Sequence, residues 1–129
     1  MRSQTNMRID THIHTAFSDG TESPADILRL AACSGIDLVS ITDHDRVKAY
    51  PEAIALGGQH GVKVVPGVEI TTKDEPGCTC IHIVGLGVDT GPEVSRVLDR
   101  SVIAQDKANL AFLDKVNDHL ASKFPSWQP

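Results

Sequence analysis

Asp10-Thr11-His12-Ile13-His14, followed by Ser18-Asp19-Gly20, is the stretch that decides the reading of this chain. It sets two imidazoles and two carboxylates in one short segment, a clustering that suggests a metal site. If Met7 to Thr11 is a strand, side chains alternate, so Asp10, His12 and His14 share a face with neighbours about 6 to 7 Å apart. Two imidazoles at that spacing can share one ion, while Ile13 anchors the strand from the other face. Taken alone, His12-Ile13-His14 also fits a pair of surface histidines near a strand end, since short motifs match by chance.

Three further segments repeat the design and favour the metal reading. Asp37-Leu38-Val39-Ser40-Ile41-Thr42 runs into Asp43-His44-Asp45, Val62 to Val68 runs into Glu69, and Cys80-Ile81-His82-Ile83-Val84 carries His82 within it. Parallel strands bring their carboxyl ends together, and in α/β folds those ends build the site. His12, His14, His44 and His82 therefore lie on or just after predicted strands. His60 and His119 fall in helical stretches, the first beside Gly61 at a helix end where it serves the last carbonyls, the second solvated.

The alternation of strand and helix predicts an α/β fold with parallel strands and flanking helices. Ser23-Pro24-Ala25-Asp26 reads as an N-cap, a first-turn proline and an acidic first turn for a helix reaching Gly35. A second helix starts near Pro51, is weakened by Gly57 and Gly58, and ends at Gly61. Gly91-Pro92-Glu93 opens a long helix with an apolar face of Val94, Val97, Leu98, Val102, Leu110, Leu113, Val116 and Leu120. The pattern drifts between Ile103 and Asn109, which predicts a break or kink there. The domain is expected to span residues 1–124, with 125–129 a tail on which Trp127 needs something to pack against.

With 129 residues, 40% of them hydrophobic and 22% charged, the chain has the make-up of one small soluble domain, short for a closed barrel. No apolar run approaches a membrane span and Met1 to Asn6 lacks the core of a signal peptide, so a cytoplasmic location is expected. Cys33, Cys78 and Cys80 give neither a disulfide framework nor a zinc ribbon. Cys33 is expected to pack in a helix, and Cys78 and Cys80, one residue apart near His82, are read as structural rather than as ligands of a soft metal. A net charge of −5 excludes a general nucleic-acid surface. Phosphate affinity would have to be local, and bound divalent cations could supply it.

In Asp10-Thr11-His12-Ile13-His14-Thr15, Ser18-Asp19-Gly20, Ile41-Thr42-Asp43-His44-Asp45, Pro66-Gly67-Val68-Glu69-Ile70 and His82-Ile83-Val84-Gly85 the chain resembles the polymerase and histidinol phosphatase (PHP) family. The likeness spans roughly residues 8 to 90 and is closest to small bacterial phosphoesterases that act on nucleotides and short RNA. It implies part of a distorted (β/α)7 barrel with two or three divalent ions, Mn²⁺, Fe²⁺ or Zn²⁺, at the strand ends. By motif, His12 and His14 resemble ligands of a first metal, Glu69 the carboxylate bridging it to a second, and His82 a ligand of the second. Asp19 and His44 resemble ligands of the third, and Asp19, His44 and Glu69 are the residues counted as catalytic. Asp10, Asp43 and Asp45 would orient imidazoles, with turn formation an equal alternative for the last two.

The implied activity is hydrolysis of phosphate esters of nucleotides or short oligonucleotides by metal-activated water. The alternatives are a catalytically impaired metal-binding or interaction module and a polymerase-associated proofreading module. Family members also take ligands from later strands, an Asp-x-His motif and a further histidine, for which Asp118-His119 is no substitute. Arg96, Arg100 and Lys107 are candidate phosphate ligands, or simply a solvated helix face. Weak catalysis and a homo-oligomer covering an exposed sheet edge are the expected consequences.

Overall fold

The computed structural model describes residues 6–73, 76–77, 79 and 81–128, so Cys78, Cys80, the first five residues and Pro129 lie outside the described residues. The elements are β1 (Ile9–Ile13), α1 (Pro24–Cys33), β2 (Leu38–Ile41), α2 (Tyr50–His60), β3 (Lys63–Val64), β4 (Gly67–Thr71), β5 (His82–Leu86) and α3 (Pro92–Lys123). β1, β2 and β3 pair in parallel in that order, with α1 and α2 as crossovers. The class is α/β, as the alternation predicts.

Both crossover helices follow their terminal signals. The Ser23 side chain accepts from Asp26 N–H at 3.1 Å, Pro24 opens α1, and Gly61 closes α2 in a left-handed conformation with φ of 69°. Gly57 is more than the helix weakener it looks like in sequence. A Cβ there would sit 2.7 Å from Val64 Cγ2 and 2.8 Å from Val62 O, so glycine lets α2 lie close on β3.

Val39 and Ile41 of β2 are fully buried among Leu28 and Ala31 of α1, Ala53 of α2, Val62 and Val68. Each fully buried aliphatic side chain of this kind contributes roughly 1.5–3 kcal/mol. On the other face Ser40 meets Gly67, where a Cβ would lie 2.4 Å from Ser40 Oγ and 2.9 Å from Gly85 O. Pro66-Gly67 thus breaks the run that sequence reads as one strand into β3 and β4, and brings β4 against the end of β2. Tyr50, buried at the start of α2, fills the gap. Its hydroxyl donates to Ile41 O and accepts from Gly67 N–H at 2.6 Å, satisfying both backbones, and burial raises its pKa.

Two expectations are corrected. β5 is antiparallel to β4, with Thr71 opposite His82, because only ten residues separate them in sequence, whereas a parallel return needs a longer crossover. His82 therefore reaches the carboxyl end of β4 from the amino end of its own strand. α3 runs as one helix of 32 residues without the expected break, since no glycine or proline follows Pro92 within it and Ala104, Gln105, Lys107 and Ala108 are good helix formers. Among the described residues no helix is long and apolar enough to cross a membrane.

Candidate metal centre

The site begins with a fault in β1. Pairing with β2 matches Asp10 to Val39 and Ile13 to Ile41, so β1 carries one residue more over this span, a bulge that interrupts the alternation. Asp10 consequently borders the groove against α1 with Ile13, Ile27 and Ala31, and its carboxylate accepts His12 N–H at 3.3 Å. It does not share a face with the histidines, which corrects the expectation that it orients them.

After β1 the chain turns sharply through Thr15 to Gly20. Thr15 O accepts from Ser18 N–H and Gly20 N–H, both at 3.0 Å, and a Cβ on Gly20 would lie 2.4 Å from His14 O. The turn is pinned by Asp43, whose buried carboxylate accepts from Thr15 N–H, Thr15 Oγ1 and Ser18 Oγ, each at 2.7 Å. The Asp43 carboxylate therefore holds the loop that carries Asp19 rather than an imidazole, while its backbone carbonyl accepts Arg46 N–H at 3.5 Å in the turn after the strand. Asp45 does lie in a turn, with φ of 50°, and its backbone N–H donates to Glu69 O at 2.9 Å while its side chain accepts from Thr71 N–H at 3.1 Å. This ties His44 to β4 beside Glu69.

Six of the expected side chains converge. Glu69, buried, faces three histidines with its two oxygens: Oε2 is 2.8 Å from His12 Nε2 and 2.8 Å from His14 Nε2, and Oε1 is 3.1 Å from His82 Nδ1. His14 Nδ1 lies 2.6 Å from Asp19 Oδ1, and His44 Nε2 lies 3.7 Å from Asp19 Oδ2. The imidazoles meet edge to face in series, His14 to His44 at 4.6 Å and His44 to His82 at 4.8 Å between ring centres. Three overlapping groups result: His12, His14 and Glu69; His14, Asp19 and His44; His44, Glu69 and His82. Within each group the ligand atoms lie within 4.8 Å of one another. His60 and His119 are exposed and stand apart.

The donor set fits divalent ions. His14 Nε2 is buried and close to Glu69, yet it makes no hydrogen bond, and His44 Nδ1 is likewise buried without one. His12 Nε2 and His82 Nδ1 do make hydrogen bonds with Glu69, and His14 Nδ1 with Asp19, and the mixed imidazole and carboxylate donors gathered within 4.8 Å are the types that a borderline cation takes. Electrostatics agree. Burial pulls the pKa of His14 down, but the hydrogen bond and charge of Asp19, joined by Glu69, leave it raised; the contact with His14 holds Asp19 below the ordinary carboxylate range. Burial pushes Glu69 up, and His12, His44 and His14 together outweigh it, leaving it lowered.

A cavity of about 330 Å³ opens beside the cluster, lined by Ser18, Asp19, His44 and His82, and also by Asp45, Arg46, Thr71, Val102, Gln105 and Asp106. Sequence reasoning missed Arg46, Gln105 and Asp106. Arg46 had a signal in its position two residues after His44; the two α3 residues had none, because their approach depends on how the helix crosses. Arg96, Arg100 and Lys107 do not line this cavity.

The family described as the PHP domain matches residues 10–121. The chain belongs to that family. Over 100 residues it is 34% identical to phosphoribosyl 1,2-cyclic phosphate 1,2-diphosphodiesterase of Eggerthella lenta, covering 78% of this chain and 38% of the relative. It is 37% identical over 81 residues to 3',5'-nucleoside bisphosphate phosphatase of Chromobacterium violaceum, covering 63% of this chain and 28% of the relative. An amidohydrolase from Chromobacterium violaceum, solved with sulfate and no metal, superposes with a TM-score of 0.72 at 29% identity, over 91% of this chain and 39% of that one. These two relatives are named as a diphosphodiesterase and a phosphatase, and the chain spans 38% and 28% of their length.

Proposed function

We propose that this PHP chain contributes to metal-dependent hydrolysis of phosphate esters in small phosphorylated substrates, nucleotides or short oligonucleotides. The observation that carries the reading is the convergence of six ligand-type side chains from four segments into three groups that share His14, His44 and Glu69. Divalent ions bound there, Mn²⁺, Fe²⁺ or Zn²⁺, would polarise a phosphoryl oxygen and supply an acidified water as nucleophile.

His12, His14 and Glu69 would hold one ion and His44, Glu69 and His82 another, with Glu69 belonging to both sets. Asp19 and His44, with His14, would hold a third. Asp19, His44 and Glu69 are the residues proposed as catalytic: His44 and Glu69 each belong to two of the groups, and Asp19 lines the cavity beside them. The strands would form part of a distorted (β/α)7 barrel. The relatives' activities on cyclic phosphate and nucleoside bisphosphate support this substrate class.

The test is metal content together with turnover on one preparation. Near-stoichiometric Mn, Fe or Zn and phosphate release from a nucleoside 3',5'-bisphosphate or short RNA are expected. Less than a tenth of an equivalent of metal after reconstitution would sink the reading. Metal without turnover would favour the alternative of a metal-binding module.

A further inference from the structure

We propose that Arg46 is the phosphate anchor of this site, holding a phosphoryl oxygen of the substrate with the edge of its guanidinium that the protein leaves unused. The proposal rests on the phosphoesterase reading above.

Among the described residues Arg46 is the one with a permanent positive charge lining the cavity beside the cluster, where Asp19, Asp45 and Asp106 also lie. It is half-buried, and its Nη1 donates to Phe17 O at 2.7 Å. Among the described residues no carboxylate pairs with it, and that single bond is its only side-chain hydrogen bond, although a guanidinium carries five donors. A partly desolvated arginine is ordinarily paired, and its planar fork matches phosphate oxygens two at a time.

The mount is rigid. Arg46 directly follows Asp45, which is fixed to the carboxyl end of β4 through Glu69 O and Thr71 N–H. The bond to Phe17 O holds the guanidinium from the side of the Asp19 loop. Its side chain is thereby fixed beside the ligand cluster, and the cavity, at about 330 Å³, has the size of a small-ligand site. In a pocket with three carboxylates, a phosphate would be drawn in by the ions and by Arg46 alone. The anchor would therefore matter most for binding and least for the chemistry.

The experiment is calorimetric titration of inorganic phosphate into the full chain loaded with Mn²⁺, with metal content measured on each sample. Arg46→Gln should weaken phosphate roughly 10- to 100-fold, the range for losing hydrogen bonds to a charged group, with bound metal unchanged. Arg46→Lys should recover part of the loss, because it restores charge without the fork. Arg100→Gln, on the exposed face of α3, should bind as wild type does.

Equal phosphate affinity in wild type and Arg46→Gln with metal in place would overturn the proposal. So would a fall in metal content that parallels the fall in phosphate affinity, which would assign Arg46 to support of the Asp19 loop. A wild-type chain that takes up no metal would sink the phosphoesterase reading instead. Phosphate bound by that metal-free chain and lost in Arg46→Gln would still sustain the anchor; no phosphate binding at all would end both.

Discussion

Between β1 and β5 a set of polar side chains is buried and hydrogen-bonded, whereas α3 leaves most of its apolar side chains in solvent. Thr15, Thr42, Asp43, Asp45 and Glu69 are all buried in the first region, while α3 buries only Leu98 and leaves Val97, Ile103, Leu110, Phe112 and Leu113 exposed. In the first region, position is dictated by groups that must find partners. A carboxylate taken out of water is tolerated only where donors or cations meet it, so each one fixes its neighbours. In α3 the helix is set by local propensity and by contacts near its start, and its distal turns follow from backbone geometry alone.

The largest effect should come from breaking the most shared group. Glu69→Gln removes the charge that faces His12, His14 and His82 at once. Groups that merely orient ligands typically change metal affinity 10- to 100-fold, so loss of this carboxylate should cost at least about 100-fold. His60→Ala and His119→Ala should change nothing, and titration against a competing chelator would reveal it. Equal affinities in the three variants would remove Glu69 from the site and erase the contrast between clustered and solvated histidines.

That contrast was legible in sequence for a chemical reason. Histidine and carboxylate at strand ends keep their identity however the strands are arranged, so the grouping of His12, His14, Asp19, His44, Glu69 and His82 could be read from local pattern. What depends on pairing could not. The bulge that turns Asp10 away from the histidines exists only relative to β2, and the reversal of β5 follows from its pairing with β4. The role of Asp43 lies in contacts with Thr15 and Ser18, 28 and 25 residues away. The two crossover helices were readable because caps and glycine stops act within a few residues. The continuity of α3 was missed because a drifting apolar pattern resembles a break, whereas a helix that packs little has no need of a regular pattern.

Asp43 sharpens the comparison through stability. Asp43→Asn keeps the shape but gives up one of the two oxygens that serve three donors, leaving a buried donor facing an amide. Unsatisfied buried groups cost about 1–3 kcal/mol, so a loss of about 2–3 kcal/mol is expected in urea unfolding. Asp118→Asn on the exposed side of α3 should stay within about 0.5 kcal/mol. A mild Asp43→Asn would mean that the Thr15–Gly20 turn is held by its own backbone bonds, and the carboxylate would lose its part in placing Asp19.

The smallest effects lie along α3 itself and divide it into an anchored start and a free remainder. Leu98 is 7% exposed and packs with the core, while Leu113, four turns later, is 53% exposed. Leu98→Ala should cost about 2 kcal/mol, the low end for a buried leucine, because the groove beside it with Val94, Val97 and Ile70 is open enough to relax. Leu113→Ala should change stability by less than about 0.5 kcal/mol, since alanine gains in helix propensity what little contact is lost. Unfolding of both variants at several protein concentrations would read the difference. If Leu113→Ala proved as costly as Leu98→Ala, the distal turns would have to be covered in solution, and the division between a site built by burial and a helix built by propensity would fail at that point.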